Sequence, residues 1–168
     1  GFLFNAYEYI LRQYTSKQNL KAGNLVGDKI VEKKHWNVLR DETYTGFDSE
    51  AVMIRIGVLN MILHGISQPN ITHLPLGSLS KSFDQKKKYD IILANPPFAG
   101  SMNKSDISDN FSLGAKKTEL LFGELFYNIL DIGGRAAVIV PAGVMFNSSN
   151  AYTKLRKLLL EKCQLNAI

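Results

Sequence analysis

Asp90-Ile91-Ile92-Leu93-Ala94-Asn95-Pro96-Pro97-Phe98 restricts this 168-residue chain more than any other stretch. Four of the five residues from Asp90 to Ala94 are apolar, which predicts a strand buried on both faces, as in a parallel sheet. The strand then stops abruptly. Asn95 precedes a proline and is pushed out of helical geometry. Pro96 and Pro97 have fixed φ and no N–H, so neither can extend a sheet ladder, but their carbonyls stay available as acceptors. The result is a stiff corner at the carboxyl end of a strand, where open α/β sheets place their ligands.

That corner offers an amide side chain, a carbonyl and an aromatic ring. The Asn95 amide oxygen and the Pro96 carbonyl can each accept one N–H of an exocyclic amino group such as adenine N6. Two such acceptors return lone-pair density to the nitrogen, and Phe98 offers a face for a planar base, worth about 1–3 kcal/mol. A lone Asn-Pro-Pro is most simply a strand-ending turn beside a core Phe. An apolar strand running directly into Asn-Pro-Pro-Phe is far more specific.

In this setting Asn95-Pro96-Pro97-Phe98, after Tyr89 to Ala94, resembles the catalytic motif of the amino-methylating DNA methyltransferases. More narrowly, the chain is similar to the modification (M) subunits of type I restriction-modification systems, which are adenine-N6-specific DNA methyltransferases. The resemblance implies a doubly wound, Rossmann-like α/β fold with a largely parallel sheet and S-adenosylmethionine as cofactor. It also implies an adenine flipped out of DNA, with specificity and restriction subunits as partners. Asn95, Pro96, Pro97 and Phe98 are then the catalytic residues, acting by positioning and electrostatics without a side-chain nucleophile.

The same resemblance implies a cofactor site. Gly1-Phe2-Leu3 look like the tail of a Gly-rich loop that holds the methionine part of the cofactor. On that reading the first strand is missing, the 168 residues are a partial catalytic domain truncated at both ends, and the isolated fragment is expected to be inactive. From Phe2 to Leu11 a helix is predicted by Leu3, Ala6, Tyr7, Ile10 and Leu11. Thr43 to Asp48 is β-prone, and Ser49 to Gly65 has the apolar spacing of a helix with Ser49 as N-cap. An acid at such a strand end either accepts the ribose hydroxyls or favours the following helix N-terminus. The resemblance selects the ribose for Asp48 and places Ser49 where an apolar residue usually packs on the cofactor's adenine.

Ile71 to Leu74 is a predicted third strand, followed by Pro75-Leu76-Gly77-Ser78-Leu79. Ser78 and Leu79 match a Gly-Asp-Ser-Leu cofactor motif, but Gly77 stands where its Asp is expected. Glycine supplies no side-chain acceptor, which puts in question one cofactor hydrogen bond worth about 0.5–1.5 kcal/mol. After Phe98 a polar loop runs to Gly114, with Phe111 and Leu113 as expected anchors. A helix is predicted over Lys117–Leu130, with Glu119 and Glu124 exposed between its apolar positions. Gly133-Gly134 turns into a buried strand over Arg135–Pro141; it precedes a strand and so is no phosphate loop. A final helix, Ala151–Lys162, points Leu155, Leu158 and Leu159 inward and Lys154, Arg156 and Lys157 outward. Leu165 to Ile168 opens a further strand.

Charge and cysteine content narrow the partners. Twenty Lys and Arg against fifteen Asp and Glu suit a nucleic-acid partner without requiring one. Lys33-Lys34-His35 reads as a solvated helix rather than a DNA patch, with Trp36 pinning the segment to the body. The single cysteine, Cys163, allows no internal disulfide and no thiolate metal cluster, so no metal site is expected. No membrane span or signal peptide is visible, and the expected location is cytoplasmic. Two other readings stay open: an amino methyltransferase acting on RNA bases or protein glutamine, and a non-catalytic scaffold for a specificity subunit.

Overall fold

The computed structural model describes residues 1–98 and 100–168. Ala99, the first residue of the predicted polar loop, lies outside them. The chain divides into two compact units, Gly1–Gly77 and Ser78–Ile168. Each is an α/β unit with one small parallel sheet.

In the first unit α1 (Phe2–Gln13) leads through α2 (Lys17–Lys21), α3 (Lys33–Asn37) and a π-helical turn (Val38–Glu42) to β1 (Thr45–Asp48). Helix α4 (Ala51–Leu63) then crosses over to β2 (Asn70–His73), which pairs parallel to β1 from Thr45↔Asn70 to Asp48↔His73. The spacing in α1 does what it predicts: Tyr7 and Leu11 are buried, and Leu3, Ala6 and Ile10 pack against a core of Leu39, Tyr44, Met61 and Ile66. Gly46 lets Leu3 approach β1, for a Cβ there would meet Leu3 Cδ1 at 2.9 Å. Trp36 does pin its segment. Its Nε1 donates to the Ile30 carbonyl at 3.1 Å, its ring packs on the core, and the Arg40 guanidinium lies 4.5 Å above it.

Helix α4 departs from expectation at its start. Ser49 is not the N-cap; Glu50 is, with no side-chain cap bond. The Asp48 carboxylate takes the role locally, accepting the Glu50 N–H at 2.9 Å. The helix is apolar nearly all round, yet only Met61 is buried, while Val52, Ile56, Leu59 and Leu63 are more than half exposed.

In the second unit β3 (Tyr89–Ala94), α5 (Thr118–Ile129) and β4 (Leu130–Val138) form another parallel crossover, completed by α6 (Ala142–Phe146) and α7 (Asn150–Lys162). Leu120, Leu121 and Leu125 of α5 are buried, as are Tyr152 and Leu155 of α7. Gly123 makes the helix pair close, since a Cβ there would lie 2.8 Å from Leu155 Cδ2.

Neither strand of this pair is buried on both faces. In β3 only Ile92 is buried, while Ile91 is 65% exposed and Leu93 40%. β4 is mostly exposed along its length. A two-stranded sheet leaves one edge of each strand open. Gly133-Gly134 is not a turn before the strand but a bulge inside it. β4 starts at Leu130, directly after α5, and the pairing jumps from Tyr89↔Leu130 to Ile91↔Arg135. Gly133 has φ +79°, and a Cβ on Gly134 would meet the carbonyls of Asp131 and Asp90 at 2.9 and 3.0 Å. Leu165 to Ile168 forms no strand, because it has no paired neighbour among the described residues.

Two side chains placed outward by their spacing are held inward. Glu124 is 1% exposed. Arg156 is half-buried and donates to the Val144 carbonyl at 2.9 Å. Among the described residues no helix is long and apolar enough to cross a membrane.

Candidate active site

Asn95, Pro96, Pro97 and Phe98 leave the carboxyl end of β3 as anticipated. The ladder closes with the Ile139 N–H donating to the Ala94 carbonyl at 3.0 Å. Beyond it Asn95 is exposed, Pro96 is buried, Pro97 is exposed and Phe98 is 47% exposed. Neither the Asn95 amide nor the Pro96 carbonyl takes a hydrogen bond among the described residues. The prolines hold the backbone without consuming its acceptors. An amide and a ring therefore face outward at a corner with fixed φ.

The loop that follows is tied down at several points. The Thr118 N–H donates to the Gly100 carbonyl at 3.1 Å and the Met102 N–H to the Lys116 carbonyl at 3.0 Å. Ile107 is buried and bridged to Ser80. The expected anchors, Phe111 and Leu113, are only half-buried. The stronger anchor is Glu124. Its carboxylate accepts the Ser112 N–H at 2.5 Å, the Ser112 hydroxyl at 2.8 Å and the Leu113 N–H at 3.3 Å. Spacing held the signal for this, because Glu124 falls four residues after Leu120 and three after Leu121, on the buried stripe.

Glu119, expected to be exposed, is half-buried and engaged. The Tyr152 hydroxyl donates to it at 2.6 Å, and Lys117 Nζ donates to that hydroxyl at 3.2 Å. The bond to Tyr152 holds the Lys117 ammonium pKa above its ordinary value, with Glu119 adding to the effect.

The candidate cofactor residues fall in both units. Gly1 is exposed, its carbonyl accepting the Asn5 N–H at 3.1 Å, and Phe2 is 45% exposed. Asp48 and exposed Ser49 share a turn held from β2. The Leu74 N–H donates to the Asp48 carbonyl at 2.9 Å, and His73 Nε2 lies 3.0 Å from the Ser49 carbonyl. His73, to which the sequence lends no role, thus fixes this turn. Asp48 Oδ2 has no partner among the described residues and remains open for a hydroxyl. In the second unit Ser78 is half-buried and Leu79 is 4% exposed, its carbonyl accepting the Ser108 N–H at 3.1 Å. Gly77 sits at φ +73°, a conformation favouring glycine, which accounts for its place in the motif. No group of three His, Cys, Asp or Glu among the described residues could hold a metal ion.

Comparison with known proteins gives this arrangement a context. The profile of the N-6 DNA methylase family matches residues 25–168. The whole chain aligns at 37% identity with the type I restriction enzyme EcoEI methylase subunit of Escherichia coli, covering 31% of that protein. It aligns at 30% identity with the EcoKI methylase subunit of Escherichia coli K12, again over the whole chain and 30% of the relative. The chain therefore spans about a third of the length of these curated relatives. Among solved structures, a chain from a type I R-M system superposes with a TM-score of 0.75 at 25% identity, over 95% of this chain and 29% of the other. A modification subunit from Vibrio vulnificus YJ016 superposes with a TM-score of 0.63 at 26% identity, over 81% of this chain and 30% of the other. The chain belongs to the N-6 DNA methylase family.

Proposed function

We propose that this chain is the base-holding part of an adenine-N6-specific DNA methyltransferase, the modification subunit of a type I restriction-modification system. The observation that carries the reading is the pair of unpartnered acceptors, the Asn95 amide and the Pro96 carbonyl, beside a half-exposed Phe98 at the end of β3. Asn95 and Pro96 each accept one N–H of the adenine amino group, and Phe98 stacks on the flipped base. These contacts orient the N6 lone pair and raise its nucleophilicity. Pro97 keeps the corner stiff, so little motion is needed when the base arrives.

S-adenosylmethionine, when bound, supplies an electrophilic methyl group on a sulfonium centre. Asp48 fits the ribose of such a cofactor, because Oδ2 is open and Oδ1 is only partly used by the turn. Gly1, Phe2, Ser49, Ser78 and Leu79 complete the residues assigned to it. Leu79 is buried, and so would act through the backbone or by packing. Gly77 offers no side-chain acceptor to the cofactor's adenine amino group. Two parallel β–α–β crossovers, β1–α4–β2 and β3–α5–β4, support a doubly wound, Rossmann-like catalytic domain of which the 168 residues are a part. DNA, a specificity subunit and a restriction subunit are the partners this reading names.

The test is Asn95→Ala in a polypeptide of the relatives' length. Methyl transfer to DNA should be lost while S-adenosylmethionine still binds in a calorimetric titration. Wild-type transfer by the variant would refute the assignment. Transfer by the unaltered protein to RNA or to protein glutamine, with none to DNA, would redirect it to those substrates.

A further inference from the structure

We infer that a cleft at the amino-terminal end of β3 binds a phosphate-bearing ligand, at a place separate from the corner at the strand's other end. The cleft has a volume of about 650 Å³, and Lys81, Lys86, Lys88, Gln85, Asn110 and Asn128 are among its lining residues. Pockets of about 300–1,000 Å³ suit ligands of nucleotide size. β3 is six residues long, so at ~3.3 Å per residue its two ends are roughly 20 Å apart. A base held at Asn95 does not reach this cleft. The inference does not rest on the methyl-transfer reading.

Two features set the chemistry of the ligand. The first is charge. Three ammonium groups line the cleft against one carboxylate, Asp84, whose Oδ1 already accepts the Lys86 N–H at 2.9 Å. Lys88 Nζ donates to the Asn128 carbonyl near the end of α5, and Lys81 lies 3.5 Å from exposed Asp109. The Lys86 ammonium has no ion pair or hydrogen bond among the described residues.

The second feature lies beneath the lysines. Gln85 is 7% exposed, and its Oε1 accepts from Asn128 Nδ2 at 3.3 Å, a bond that Asn128 divides with the Asn110 carbonyl at 3.4 Å. Gln85 Nε2 is buried with no partner. A buried amide nitrogen left without a partner is rare in folded proteins and calls for an acceptor, and the lysines around it favour an anionic one. A cation or a pure donor does not satisfy it. Phosphate oxygens accept, carry the charge the lysines complement, and take charge-assisted bonds from ammonium groups. The weak Asn128 contact lets the Gln85 amide turn toward such an oxygen.

The phosphate belongs either to a free nucleotide or to a nucleic-acid backbone, and one experiment separates these. The side-chain amide signals of Gln85, Asn110 and Asn128 are followed by NMR while the chain is titrated with inorganic phosphate, ADP or a short DNA duplex. Saturable shifts of the Gln85 signal with phosphate or ADP support the free source; saturable shifts with the duplex alone support the backbone. In Lys86→Glu the affinity should fall roughly tenfold or more, by reversal of an exposed charge. Gln85→Leu should abolish the saturable shifts at Asn110 and Asn128 and leave the chain folded, because an apolar replacement removes the orphaned amide instead of creating another. Shifts that rise linearly and equally with chloride, a silent Gln85 signal, or unchanged affinity in both variants would overturn the inference and leave only an ordered water on Gln85.

Discussion

The carboxyl ends of β1 and β3 meet the same demand, holding a polar side chain at the end of a short parallel strand, by opposite means. At β1 the turn is fastened by hydrogen bonds. Asp48 accepts the Glu50 N–H through its side chain and the Leu74 N–H through its carbonyl, and His73 holds Ser49. That corner uses much of its polarity on itself. At β3 the stiffness is covalent. Pro96 and Pro97 fix the path, and the Asn95 amide and the Pro96 carbonyl are left without partners. A corner held by its own hydrogen bonds keeps only part of its polarity for a ligand; one held by proline rings keeps its acceptors free.

The sharpest way to break this comparison is at Asn95. Asn95→Ala should lower methyl transfer by about 10²–10³-fold, the scale for removing one group that stabilises charge in the transition state. Its effect on folding should be small because Asn95 is exposed. Next comes Glu124, which fastens the loop beyond the β3 corner. Glu124→Leu leaves the Ser112 and Leu113 donors unanswered and should cost on the order of 3 kcal/mol in urea unfolding. Gly134→Ala should cost about 1–3 kcal/mol by crowding the Asp90 and Asp131 carbonyls at the bulge.

At β1 the expected effects are smaller and separable. Asp48→Ala should cost about 1 kcal/mol in stability through the lost Glu50 bond, whereas Asp48→Asn should keep that bond and weaken cofactor binding alone. Equal stability losses in both variants would mean that the charge, not the acceptor, holds the turn. The slightest effect concerns pH. The Ser16 N–H, 2.7 Å from Asp28, holds the Asp28 carboxyl below its ordinary 3.8. A folded-state pKa below the unfolded one stabilises the fold above about pH 4, and that contribution fades as pH falls through the lowered value. Asp28→Asn should make acid unfolding of the first unit slightly less steep, read by circular dichroism.

Local patterns were legible in the sequence where a single element determines its own form. The α1 stripe, the β1–α4–β2 crossover and the sharp stop at Asn95 follow from spacing and proline chemistry, and all stand in the structure. Burial of the strands was not legible, because it depends on how many neighbours a strand has. Ile91 and Leu93 have a core composition but lie in a two-stranded sheet. Glu124 was misplaced by spacing: it was set between the apolar positions although it follows Leu120 by four and Leu121 by three, and the donors that allow its burial come from a loop twelve residues earlier. Gln85 and His73 act through partners still more remote in sequence, and no local period announces them.

The proline pair has a thermodynamic consequence. Two residues of the β3 corner have φ set by covalent rings, so their backbone freedom is already small in the unfolded chain. Forming the corner therefore costs less conformational entropy than forming an equally rigid loop of ordinary residues, where about 1–2 kcal/mol is lost per residue. A planar guest arriving at Phe98 should find this stretch already ordered. Its binding there should show little of the unfavourable entropy that accompanies loop closure, with the heat and the heat-capacity change coming mainly from stacking and desolvation.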